Sequence, residues 1–269
     1  MTLPPARVLL LGAHPDDAEV FAAGLLWRHR IAGSTIRLIS VTDGRSGHPS
    51  MEDEPLVVRR RQEAANSGRL LGCDYLTWDF PDGYLQPTLE LRHRVIEEIR
   101  RFQPDLVLTH RTCDYHPDHR AIAQAVQDAS YLVTVPKIVP EQPALTKDPI
   151  VAYMPDTFSR PALLRPDYVL DATPYIDDIV RMMACHESQF FEWLPYNQGI
   201  LNSVPSDAGD RLQWLKEWAL RFVAPRSELF WNSAWGPKPI WIEAFEISEY
   251  AGKLSADIAE RLFPGCHRR

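Results

Sequence analysis

Residues 7–19 read RVLLLGAHPDDAE, and this stretch decides the fold. Arg7 to Ala13 (RVLLLGA) is a short apolar run, as expected of a strand buried on both faces. From Asp16 to Arg30 the apolar residues Val20, Phe21 and Leu25 follow helical spacing, and Gly33 supplies the stop. The alternation then repeats. Ile36 to Thr42 (IRLISVT) predicts a second strand, ended by Asp43 and Gly44. Helices over about 56–71, 88–102 and 117–132 alternate with strands over 75–80 and 105–110. Such an order predicts an α/β fold with a mainly parallel sheet and helices on both faces.

Between Pro136 and Pro174 lie eight of the 23 prolines, so extended connections are expected there, with short strands over 150–153 and 168–170. Helices resume over about 175–191 and 207–222, and 241–247 alternates like a final strand. No repeat and no clean linker interrupts the chain, so residues 1–269 are expected to form a single domain. With 29 basic against 36 acidic residues the net charge is −7, which argues against nucleic-acid binding, because phosphate neutralisation needs a basic excess. No run approaches the roughly 18–20 apolar residues of a membrane span. The four cysteines (Cys73, Cys113, Cys185, Cys266) are widely spaced and form no CxxC, which fits buried thiols in a reducing, cytoplasmic setting.

Two segments are written in the same grammar. The first is His14-Pro15-Asp16-Asp17, where the first strand meets its helix; the second is His116-Pro117-Asp118-His119, after the strand ending at His110. In open α/β sheets, ligands bind outside the carboxyl ends of the strands, so both belong to the functional edge. Proline and aspartate make good helix starts, which accounts for Pro15, Asp16, Pro117 and Asp118. It does not account for the histidines, since an imidazolium is disfavoured at a positive helix end. Neutral imidazoles there have lone pairs to offer a metal. A strand-end His, one carboxylate and one His of the second segment make three ligands with a position left open, the arrangement of a catalytic zinc. Asp16 and His116 then stand beside the metal as candidate general base and as acid or oxyanion donor.

These residues resemble the PIG-L/LmbE-type zinc-dependent N-deacetylases: 13–19, 104–110 and 116–119 carry the likeness. Weaker echoes are Thr42-Asp43-Gly44, Arg60 with Glu63, and His186, Ser188 and Gln189. The resemblance implies a Rossmann-like fold, a Zn2+ or other divalent cofactor, a homo-oligomer, and removal of an N-acetyl group from an amino sugar or its conjugate. By position, His14, Asp17 and His119 match the metal ligands, Asp16 the general base and His116 the residue that stabilises or protonates the intermediate. Arg60 matches a substrate-fixing residue. Arg45 departs from the acid that many members carry after the Thr-x-Gly turn.

Other features are open to two readings. His110 and Asp118 can orient the ligands from behind or serve only local structure, and His186 can belong to the site or to a helix core. Arg45 and Arg60, near the functional edge, suggest a substrate with an anionic group, although solvated arginines explain them equally. Six of the eight tryptophans fall in the last third of the chain; they suit sugar stacking or a core stripe such as Trp214, Trp218 and Phe222. Rival functions are an amidase for a larger sugar–thiol conjugate, a non-catalytic metal-binding protein, and a nucleotide-binding module. The last is weakened because the first strand ends Gly12-Ala13-His14 and lacks GxGxxG.

Overall fold

The computed structural model describes residues 5–269. Strand β1 (Arg7–Gly12) lies inside an eight-stranded sheet of order β3-β2-β1-β4-β5-β7-β6-β8. β2 (Thr35–Thr42), β3 (Asp74–Phe80), β4 (Leu106–Thr109) and β5 (Ile150–Tyr153) extend it in parallel. β7 (Ile242–Ile247) pairs antiparallel with both β5 and β6 (Tyr168–Asp171), and the short β8 (His267–Arg268) closes the edge. The expected mainly parallel Rossmann-like α/β sheet is therefore present, with an antiparallel extension.

β1 shows why an unbroken apolar run was the informative signal. Val8 and Leu10 enter one core, beneath α2 (Ala23–Ile31), α6 (Ile176–Ala184) and α8 (Ala208–Phe230). Leu9 and Leu11 enter the other, beneath α4 (Leu89–Phe102) and α5 (Pro117–Ala129). Alternate side chains of a strand point to opposite faces, so a strand covered on both has no polar side. β1 also marks the switch point: the chain crosses to β2 on one side and returns to β4 on the other, opening a crevice at their carboxyl ends.

Several boundaries differ from the sequence reading. The helix expected over 16–30 is two, α1 (Asp17–Phe21) and α2, broken at Ala22 (φ −147°). The break exposes the α2 amides of Gly24 and Leu25 to the buried Glu243 carboxylate, which accepts both at 2.6 and 2.9 Å. The helix expected over 175–191 ends at Ala184, and a π-helical turn (Ser188–Trp193) leads into α7 (Leu194–Asn197). α8 runs through Pro225 to Phe230 because Val223, Arg226, Ser227 and Phe230 are all buried, and this packing outweighs one lost hydrogen bond. α3 (Asp53–Leu71), which carries Arg60, and a short α9 (Ala256–Leu262) complete the helices.

Candidate active site

The turn after β1 is built by close backbone approach. The Ala13 carbonyl accepts from the Thr42 amide and from the Ser40 and Thr42 hydroxyls at 2.8–3.2 Å, which fixes the strand end against β2. Asp17 folds back, and its Oδ2 accepts from the Ala13 and His14 amides at 2.7 and 2.8 Å. A Cβ on Gly12 would stand 2.9 Å from that of Asp17, so glycine is needed there. Asp16 sits at φ 146°, ψ −13°, a region costly for a residue with a side chain. Its amide donates to the Tyr75 hydroxyl (3.2 Å) and its Oδ2 accepts from Gln189 Nε2 (3.1 Å). Asp16 Oδ1 has no hydrogen-bond partner among the described residues and lies 3.6 Å from Arg60 Nη2.

The segment after β4 brings the second set of histidines to the same crevice. His14 Nδ1 and His119 Nε2 face one another at 3.2 Å, His119 Nε2 is 3.4 Å from Asp17 Oδ1, and His14 Nδ1 is 3.8 Å from Asp17 Oδ2. Ligands about 2.0–2.1 Å from a tetrahedral ion stand roughly 3.3 Å apart, close to these separations. The far nitrogens of both rings meet carboxylates. His119 Nδ1 is 3.1 Å from Asp114, and His14 Nε2 is 3.3 Å from Asp82 and 3.5 Å from Asp118. Carboxylates in this place hold imidazoles with the near lone pair presented to a metal. The cluster thus faces two lone pairs and a buried carboxylate toward one point, a donor set that suits a divalent cation. Three overlapping sets of such groups occur among the described residues: His14–His116–His119, Asp17–His110–His119 and His14–Asp82–Asp118. The expected trio is not one of these sets; it spans the first two through its pairwise contacts.

Electrostatics follow the geometry. Burial raises the Asp17 carboxyl, but His110 (Nε2 2.9 Å away) and His119 outweigh it and hold Asp17 well below the usual range. Burial opposes protonation of His14 and His119, yet Asp118 and Asp82 raise the first and Asp17 and Asp114 push the second to about 9. Only one proton fits between their facing nitrogens, whereas a divalent ion answers both. Burial lifts Asp16 to about 6 against the pull of Arg60. His116 is driven to about 4 by burial and by His14 and His119. As N-cap of α5, its Nδ1 accepts the Asp118 amide (3.2 Å), which leaves the neutral ring with its proton on Nε2.

The cavity beside this cluster measures about 300 Å³ and is lined by His14, Asp16, Asp17, Asp82, His116 and His119. Aromatic residues of the π-helical turn and α8 also line it. A larger open groove of about 780 Å³ along β7 contains none of the cluster, so size alone does not mark the site. The remaining sequence candidates have definite places. His110 lies directly behind Asp17. Asp118 accepts from the Gly83 and Leu85 amides at 2.7 and 3.2 Å, pinning the loop that carries Asp82. His186 is fully buried, 3.1 Å from Glu19, and does not line the cavity.

Arg60 lines the cavity but is 1% exposed, and it donates to the Pro15 carbonyl (2.9 Å). Gly47 leaves it room, since a Cβ there would stand 2.5 Å from its guanidinium. Arg45 is held by Asp43 through Nε (2.8 Å) and Nη2 (2.5 Å) and lies outside the cavity lining. Arg45 is thus paired with a carboxylate of its own chain, and Arg60 is turned toward the Pro15 carbonyl and Asp16. Asp82, Asp114 and Tyr75 reach the site without a motif of their own to mark them. Asp82, in the Pro81-Asp82-Gly83 turn, could have been found from its position at a strand's carboxyl end.

Fold and site together define a Rossmann-like α/β protein with an imidazole–carboxylate cluster at the switch point of its sheet. Residues 9–130 match the family described as "PIG-L: GlcNAc-PI de-N-acetylase". The chain is 30% identical over 158 residues to "Uncharacterized deacetylase YaiS" of Escherichia coli K12, covering 56% of this chain and 80% of that protein. It is 28% identical over 204 residues to the diacetylchitobiose deacetylase of Thermococcus kodakarensis (71% and 74% covered). It is 24% identical over 206 residues to the 4-oxalmesaconate hydratase of Pseudomonas putida (74% and 80% covered). The solved N,N'-diacetylchitobiose deacetylase of Pyrococcus horikoshii shares the fold at a TM-score of 0.71 and 21% identity, covering 91% of this chain and 84% of that one. The chain belongs to the PIG-L family.

Proposed function

We propose that this protein is a zinc-dependent N-deacetylase that hydrolyses the acetamide of an N-acetylated amino sugar or its conjugate. The observation that carries this reading is the convergence of His14, Asp17 and His119 within 3.2–3.8 Å of one another, beside an Asp16 oxygen that has no hydrogen-bond partner among the described residues. Those three residues would hold the ion. A bound Zn2+ supplies Lewis acidity and lowers the pKa of a coordinated water to about 7. Asp16 Oδ1 takes the proton from the attacking water, with Gln189 and Arg60 holding the carboxylate in place. His116 Nε2–H donates to the developing oxyanion. The amide C–N bond then breaks, the amine leaves with a proton returned by Asp16, and acetate is the second product. Diacetylchitobiose deacetylase is among the relatives, which supports an amino-sugar substrate.

The hydratase among the relatives marks the principal alternative. A substrate such as the 4-carboxy-2-hydroxymuconate named for its structural counterpart is anionic. The sole arginine in the cavity lining among the described residues is Arg60, which is buried and donates to the Pro15 carbonyl, and this favours the amide reading. The deciding experiment incubates the purified protein with a panel of N-acetyl amino sugars and follows acetate and free amine by mass spectrometry, before and after chelation and zinc return. Matched acetate and amine that vanish on chelation are expected. A panel without amine, from protein that retains one equivalent of metal, would overturn the proposal.

A further inference from the structure

The aromatic part of the cavity lining has a chemistry of its own. Trp218 and Phe222, one turn apart on α8, lie parallel within 3°, with centroids 6.2 Å apart. Phe222 is 52% exposed although it lines the cavity, so its ring is open at the mouth. Its mobility is restrained from below. Arg226, 2% exposed, stacks on Phe222 and Phe21 at 5.6 and 4.9 Å and donates to the Val20 carbonyl at 2.7 Å. One buried guanidinium thus fixes three pieces of the cavity wall, and a shelf already rigid loses little entropy on binding.

On the two rings themselves hydrogen-bonding capacity is slight, and the amides of Asn197 and Gln198 lie elsewhere in the lining. The Trp218 indole N–H is given to Gln198 Oε1 (3.0 Å), phenylalanine has none, and the adjoining wall is Val20 and Phe21. A hydroxyl-rich ring laid flat over Phe222 would meet neither donor nor acceptor on that face, a costly arrangement when desolvated. No charged side chain other than the buried Arg60 accompanies the histidines and aspartates of the lining among the described residues. We propose that the Trp218–Phe222 shelf is a subsite for an uncharged apolar group, an aryl or alkyl aglycone, attached to the amino sugar. The assignment rests on the deacetylase reading for the sugar and deepens it by naming what the sugar carries.

The test is equilibrium binding of metal-loaded protein to phenyl β-glucosaminide, methyl β-glucosaminide and glucosamine 6-phosphate, amines that deacetylation cannot process further. The phenyl glycoside should bind about five- to tenfold more tightly than the methyl glycoside, the fold-change expected of an aromatic pair. That ratio should fall below about twofold in Phe222→Ala and stay intermediate in Phe222→Leu, both at a half-exposed position that tolerates change. Equal affinities in the wild type, a phenyl preference untouched by Phe222→Ala, or tightest binding of the phosphate would each overturn the subsite. Acetate release from the N-acetylated phenyl and methyl glycosides is followed in parallel. A phenyl preference that persists without acetate release supports the shelf and removes the deacetylase reading instead.

Discussion

His14-Pro15-Asp16-Asp17 and His116-Pro117-Asp118-His119 have nearly the same letters and opposite local structures. The second is an ordinary helix start: His116 caps, Pro117 takes the first turn, and Asp118 follows inside it. The first is strained: Asp16 is in the positive-φ region and no side chain caps α1. The consequences run position by position. In both, the fourth residue, Asp17 or His119, enters the cluster. The third residue differs: Asp16 lines the cavity, whereas Asp118 is fully buried and braces the loop bearing Asp82. The first residue differs as well, since His14 Nδ1 faces the cluster and His116 Nδ1 is spent on its own helix. A spacing pattern brings residues to an edge; the backbone conformation assigns their directions.

The largest expected effect tests the shared fourth position. Asp17→Ala and His119→Ala should each lose the bound metal and all measurable deacetylation. Elemental analysis checks this, and a full equivalent retained by either would break the parallel. The third position comes next. Asp16→Asn should keep the metal and lose about 10²–10⁴-fold in kcat, the range typical of a general base, whereas Asp118→Asn should keep the base intact. Turnover of Asp16→Asn within a few-fold of wild type would remove its role.

His116→Asn separates capping from catalysis, because asparagine caps a helix well but has no imidazole. Thermal stability should hold within about 0.5 kcal/mol, while kcat falls about 10²–10³-fold for a lost oxyanion donor. A smaller effect belongs to Asp118→Asn, expected to weaken metal affinity about 10–100-fold as partners behind a ligand do. Competition with a chelator measures it.

The smallest effect concerns how the helix starts are capped. α5 is capped locally by His116, but α2 is capped from 218 residues away, by Glu243 on β7. Burial lifts the Glu243 carboxyl from 4.5 to about 7, against the pull of the Gly24 and Leu25 amides. Between those values the folded chain binds the proton more tightly than the unfolded one. Its contribution is full below the lower value and fades as pH rises through the upper one. The stability of the metal-loaded protein relative to Glu243→Gln should therefore fall between about pH 5 and pH 8. A difference independent of pH would mean that Glu243 does not change its charge across this range.

Much of the fold could be read from local signals. Continuous apolar strands such as Arg7–Gly12 and Leu106–Thr109, with glycine stops at Gly33 and Gly72, mark the parallel half of the sheet. The antiparallel half was less legible because β6 and β7 are separated by some 70 residues, and neither carries the label of its partner. The break at Ala22 was not legible either, since its stabilising group is the remote Glu243.

The sequence by itself determined the chemistry available at the sheet's edge. Two short segments of histidine and aspartate, each after an apolar strand, could come together only at the switch point, because parallel strands bring their carboxyl ends to one side. Tertiary structure alone decided which atoms face which. It left Asp16 Oδ1 without a hydrogen-bond partner among the described residues and bound its Oδ2, placed carboxylates from the turn after β3 and from the segment after β4 behind two imidazoles, paired Arg45 with Asp43 and turned Arg60 toward the Pro15 carbonyl. It also laid Trp218 and Phe222 flat at the cavity mouth over a buried Arg226. Periodicity along a chain specifies faces and edges. The orientation of a side chain depends on partners tens or hundreds of residues away, and folding brings these within 3–4 Å.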